Sequence, residues 1–147
     1  MIKSLYVISF LLLGFISCAL ASESEDYALM GRKTWSAFEC ASLSSKTGDT
    51  SESERLFLVG YNSGKQFLTA LSANKIKEKD LKNQVPFLML LLLQGPSHDF
   101  ILGRIYSAAE KNALDDVFNT EGKYNPDEVQ KSLAENKVRK NNCRLIR

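Results

Sequence analysis

The chain has 147 residues, 19 basic and 17 acidic side chains, a formal net charge of +2, one histidine and three cysteines. A balance this close to neutral argues against nucleic acid or an acidic polymer as a main partner, and one His with three Cys supplies too few ligands for a recognisable zinc or iron site. The length suits one domain that buries its own core.

Residues 1–21 read as a cleaved secretory signal. Lys3 provides the positive start, Leu5 to Ile16 the apolar middle, and Ala19-Leu20-Ala21 the small-x-small site cut before Ser22. The apolar run is interrupted by Ser9, Gly14 and Ser17 and has no basic flank behind it, so no transmembrane segment is expected after cleavage. A rival processing route comes from Gly14-Phe15-Ile16-Ser17-Cys18, which resembles a bacterial lipobox; acylated Cys18 would then tether the domain to a membrane. Either route implies export, to the periplasm or the cell exterior. There Cys40 and Cys143 are the pair left to form a disulfide.

From Ser22 onward the chain reads as helices. Ser22-Glu23-Ser24-Glu25 has the form of a capping box, with Glu25 returning the bond, and Tyr27, Met30, Thr34, Ala37, Phe38 and Ala41 recur at helical spacing. The pattern predicts a helix from Glu23 to about Ser45, with Trp35 at the margin of the apolar stripe and Cys40 beside it. After the break at Thr47-Gly48-Asp49-Thr50, Ser51-Glu52-Ser53-Glu54 repeats the capping grammar. It predicts a second helix to about Ala73, with Leu56, Phe57, Tyr61, Phe67, Leu68 and Leu71 as core positions. Gly60 and Gly64 share one face of it, at about 1 kcal/mol each relative to alanine. Two reasons would account for them: close approach of the Trp35 or Phe38 side of the first helix, or the floor of a ligand groove.

A charged connection, Asn74 to Lys79, leads to a short helix over Asp80–Val85, stopped before Pro86. Phe87 to Leu93 is a run of seven apolar residues closed by Gln94-Gly95-Pro96. It reads as a short helix, apolar all round, that belongs at the centre of the domain; a buried strand and an exposed apolar wedge are the alternatives. Ser97 caps the next helix, with Asp99 in its first turn and Ile101, Leu102, Ile105, Ala109, Ala113, Val117 and Phe118 as its stripe, ending near Glu121-Gly122. Asn125-Pro126-Asp127-Glu128 signals the last helix, with Asn125 as its cap. Its few apolar residues, Val129, Leu133, Ala134 and Val138, place it on the surface, and Cys143 follows it.

The predicted fold is therefore an all-α, single-domain bundle of about five helices over 22–147. It surrounds the short apolar helix, carries a basic C-terminal tail and is pinned by Cys40–Cys143. No nucleophile-plus-base set is legible: His98 stands between Ser97 and Asp99, and three consecutive residues do not aim at one another as a triad does. No cofactor is expected. A hydrolase of muramidase type needs only two carboxylates across a cleft, and Glu39 is the acid to test for that alternative.

The remaining class is binding. Trp35 and Cys40, with a second cysteine near the C-terminus, form a pattern similar to that of some periplasmic immunity proteins that neutralise cell-wall amidases, a likeness confined to these few positions. It implies a protein–protein surface and, as partner, another protein of the envelope. The candidate surface residues are Trp35, Gly60, Tyr61, Gly64, Tyr106 and Tyr124, together with Lys137, Arg139 and Lys140 of the basic end. A lipid-tethered envelope accessory protein is the further alternative.

Overall fold

Ser22 opens the first helix by accepting the Glu25 backbone N–H at 3.3 Å. The structure, a computed structural model, describes residues 22–147; the signal and Cys18 lie outside the described residues. Six α-helices follow in order: α1 Glu23–Thr47, α2 Thr50–Ser72, α3 Glu78–Gln84, α4 Phe87–Leu90, α5 His98–Phe118 and α6 Asp127–Lys140. A two-residue hairpin, β1 Asn119–Thr120 and β2 Lys123–Tyr124, joins α5 to α6, and Cys143–Leu145 forms a closing 3-10 turn. The all-α fold is as the sequence predicts, and among the described residues no helix is long and apolar enough to cross a membrane.

The caps differ in detail from the expected grammar. The Glu25 carboxylate accepts the Gln84 side chain at 3.1 Å, tying α1 to the end of α3. Gly48 takes the left-handed conformation, φ 89°, that closes a helix. Asp49 then caps α2 by accepting the Glu52 N–H at 3.1 Å, displacing Ser51, because a carboxylate is the stronger acceptor for a free backbone donor.

α1 is the centre of the fold. It packs against α2, α3, α5, α6 and the closing turn. Trp35 and Phe38 from α1 join Phe67, Met89, Ile101 and Ile105 in the largest apolar cluster. A second cluster, Leu43 with Leu114, Val117 and Ala134, seats α6 on α1 and α5. The two glycines of α2 sit where neighbours come closest. A Cβ on Gly60 would lie 2.7 Å from the Phe38 ring, and one on Gly64 would run into Leu102 of α5 and stand 3.1 Å from Thr34. The floor is thus filled by side chains, which corrects the groove reading and supports the close-approach one.

The apolar run is the main departure. α4 is a single turn, and of Phe87–Leu93 only Met89 is fully buried, while Phe87, Leu88 and Leu91 are 70%, 48% and 61% exposed. A one-turn helix points side chains in every direction, and the space it would have to occupy at the centre is taken by α1. The expectation of a wrapped central helix is therefore corrected to a one-turn element at the surface.

α5 also ends earlier than expected. Glu121 and Gly122 take positive φ, 51° and 77°, the turn geometry that suits a two-residue hairpin. Asn125 does not cap α6: its side chain donates to the Val117 carbonyl at 2.9 Å and its backbone N–H to Phe118 at 2.8 Å, so it finishes α5 instead. The disulfide joins Cys40 to Cys143, with Cα atoms 5.5 Å apart. Beyond it Arg55, held by Glu52 through two 2.7 Å bonds, donates to the Ile146 carbonyl at 2.7 Å, so the end of the tail is fixed as well.

Candidate binding surfaces

The residues nominated from sequence fall in separate places. Trp35 is core, 5% exposed, because α1 is covered on more than one side and the margin of its stripe is buried with the rest; it presents no surface. Gly60 and Gly64 lie in helix seams, as above. These three are removed from the candidate surface.

Tyr61 and Tyr106 are brought together, through Phe57. Phe57 stacks on Tyr61 at 6.3 Å and meets Tyr106 edge-on at 5.3 Å, and Tyr106 in turn contacts the buried Phe38 at 5.3 Å. Phe57, expected in the core, is therefore at the surface, and Leu58 beside it is more exposed still. The Tyr61 hydroxyl donates to Asp99 at 2.9 Å, and Lys65 reaches the same oxygen at 3.0 Å. These bonds hold the Asp99 carboxyl below its ordinary value and the Tyr61 phenol above its own. The result is an aromatic face whose members are fixed by one another and by α5.

Tyr124 is exposed and stacks on Phe118 at 6.3 Å. The basic end is not one strip. Lys137 is consumed internally, donating to the Ala113 carbonyl at 2.6 Å and pairing with Asp116. Arg139 bonds Asn136 and lines a cleft beside the closing turn, whereas Lys140 is exposed outside that cleft. Glu39 accepts the Asn112 side-chain amide of α5 at 2.7 Å, so its partner across the helix pair is an amide rather than a second carboxylate. His98 stands at the start of α5, 3.3 Å from the Ser72 hydroxyl, where Ser97 supplies the cap.

The apolar edge of α4, which the sequence offered only as the alternative of an exposed wedge, is a further surface. Phe87, Leu88 and Leu91 project from it, and the following loop folds against the first turn of α5: a Cβ on Gly95 would lie 2.5 Å from Phe100. Phe100 is itself half exposed, and Arg104 stands over its ring at 5.9 Å while donating to the Gln94 carbonyl at 2.8 Å. Part of the signal was present in Pro86 and in Gly95-Pro96, which break the helix at both ends of the run. A turn so short cannot bury four consecutive apolar side chains.

The chain matches no family model, no curated protein and no solved structure in comparisons with each.

Proposed function

We propose that the protein is an exported, non-enzymatic binding protein that engages another protein of the envelope, as an inhibitor or immunity factor, through the apolar edge formed by Phe87, Leu88, Leu91 and Phe100. The observation that carries this reading is the exposure of those four side chains, in and beside the most apolar stretch of the described chain. Exposed apolar side chains gathered on one element mark interaction sites, and aromatic anchors ringed by polar groups are the usual hot spots of protein interfaces. Covering one such side chain contributes about 1.5–3 kcal/mol. A protein fits better than an anionic bilayer, because the surface approach to the edge mixes Lys77, Glu78, Lys79 and Lys82, with Lys82 paired to Glu78, and mixed signs do not make the basic cluster that anionic lipids attract. The buried disulfide accords with an oxidising compartment, and hence with the export reading of residues 1–21.

The test is site-specific photocrosslinking in the native host. A benzophenone side chain at Leu91 is expected to capture one protein of the envelope, with competition by wild-type protein and none by a Phe87→Ser, Leu91→Ser variant. A probe at the exposed Asn62 on α2 is expected to capture none. Equal adducts from both positions, adducts with lipid, or adducts between two copies of the chain overturn the reading. Release of fragments from peptidoglycan by the purified protein, lost in Glu39→Gln, would replace it with the hydrolase alternative. An intact mass of the exported protein separates a start at Ser22 from an acylated Cys18.

A further inference from the structure

A cleft of about 580 Å³ opens where α1 ends, α2 begins and α6 runs into the closing turn. It shares no residue with the apolar edge, and its volume falls in the range of small-molecule sites. Its wall carries acids and bases, but they are not equally free. Asp49 is occupied as the cap of α2 and by the Ser51 hydroxyl at 3.1 Å. Glu52 is held by Arg55. Among the described residues, the three cations of the wall, Lys131, Arg139 and Arg144, form no ion pair; the acids that face them are Asp49, whose partners are neutral, Glu135, and Glu52, whose charge Arg55 balances. With Glu52 balanced by Arg55, three cations face two acids, and the cleft keeps a small excess of positive charge.

Ser44 supplies an independent observation. It lines the cleft, is 1% exposed, and its hydroxyl is buried with no hydrogen-bond partner. Other hydroxyls of these helices return their proton to the carbonyl one turn back: Thr34 to Met30 at 2.8 Å, Ser42 to Phe38 at 3.1 Å and Ser72 to Leu68 at 2.9 Å. Ser44 does not, so an unused donor lies buried just behind the wall of the cleft. A buried polar group left unmet destabilises the fold, and such groups are accordingly rare.

We propose that this cleft binds a small organic anion, a carboxylate or phosphate monoester with a short apolar body. The anionic head lies among Lys131, Arg139 and Arg144, the Ser44 hydroxyl donates to the bound molecule, and the body rests on Val138 and Leu145. Guanidinium groups favour both head groups, since their paired N–H donors match two oxygens of either. Two probes separate the head groups, and a neutral one of the same body separates charge from greasiness.

The experiment is an amide NMR titration of the oxidised protein with hexanoate, hexyl phosphate and hexanol. Saturable shifts at Ser44, Asn142 and Arg144 are expected with at least one anion and not with hexanol; the tighter anion names the head group. An Arg139→Gln, Arg144→Gln variant is expected to bind about tenfold more weakly, with its spectrum reporting that it is folded. Ser44→Ala is expected to lose affinity without losing thermal stability, which a purely structural hydroxyl would not do. Absence of saturable shifts with both anions, equal shifts with hexanol, unchanged affinity in the arginine variant, or shifts centred on Phe87–Leu91 overturn the proposal.

Discussion

The seam of α2 against α1 and α5 and the stretch Phe87–Leu93 reverse what hydropathy alone would suggest. The seam contains Gly60, Ser63 and Gly64 and is buried; the stretch is wholly apolar, and only Met89 within it is fully buried. What decides is geometry. A helix of 23 residues lies along its neighbours and lets small side chains bring backbones together, whereas one turn between two prolines turns most of its side chains away from whatever it touches. Burial here follows the length of an element and the space its neighbours leave.

The comparison can be strained hardest through the disulfide that fastens the closing turn to α1. Replacing Cys40 and Cys143 by Ser is expected to cost about 2–5 kcal/mol, since the bridge restricts a long loop of the unfolded chain. Chemical denaturation of the double variant measures it. An unchanged midpoint would show that the clusters around α1 hold α6 without help.

Within the apolar stretch the prediction is a contrast. Met89→Ala removes a fully buried side chain from the main cluster and is expected to cost about 2–5 kcal/mol. Leu91→Ser, on an exposed neighbour, is expected to stay within about 0.5 kcal/mol. Similar losses from both would mean that the whole run is core and that the exposed edge does not exist in solution. At the seam, Gly64→Ala gains helix propensity of about 1 kcal/mol but forces Leu102 or Thr34 to move, and overpacking of this kind costs about 1–3 kcal/mol. A net loss is expected, and a more stable variant would show that the seam has room.

Much of the fold was legible because long periodic helices state their faces plainly. α1 and α2 were readable to within two residues at all four of their ends, and the Cys40–Cys143 pairing followed from setting Cys18 aside with the expected signal. The hairpin after α5 was not, since Asn125 has two uses for a side chain that both satisfy backbone groups, and only the packed chain decides between capping α6 and closing α5. The candidate surfaces were harder still. Tyr61 and Tyr106, read separately in the sequence, meet only through Phe57 and are each half-buried, and Trp35 looked marginal because one helix viewed alone has one buried face, and α1 has several neighbours. The cleft at the closing turn needs three segments distant in sequence, so no local pattern announces it.

The smallest expected effect concerns how firmly the end of the chain is held. Arg55 holds the Glu52 carboxyl below its ordinary value, chiefly by hydrogen bonding, and with its other nitrogen holds the Ile146 carbonyl. A carboxyl whose value is lowered by folding binds fewer protons in the folded than in the unfolded chain over the interval between the two values. Stability there rises with pH. The contribution is therefore complete above the unfolded value, near 4.5, and is lost as pH falls through the lowered folded value. Both groups are partly in water, so the size is that of a surface pair, about 0.2–1 kcal/mol. Arg55→Gln is expected to flatten the fall in thermal stability as pH drops below the unfolded value near 4.5, besides lowering it throughout through the lost Ile146 bond. Glu52→Gln is expected to flatten the same slope while leaving Arg55 free to keep Ile146. Parallel slopes in wild type and both variants would remove Glu52 from the acid response and leave Arg55 acting on the tail alone.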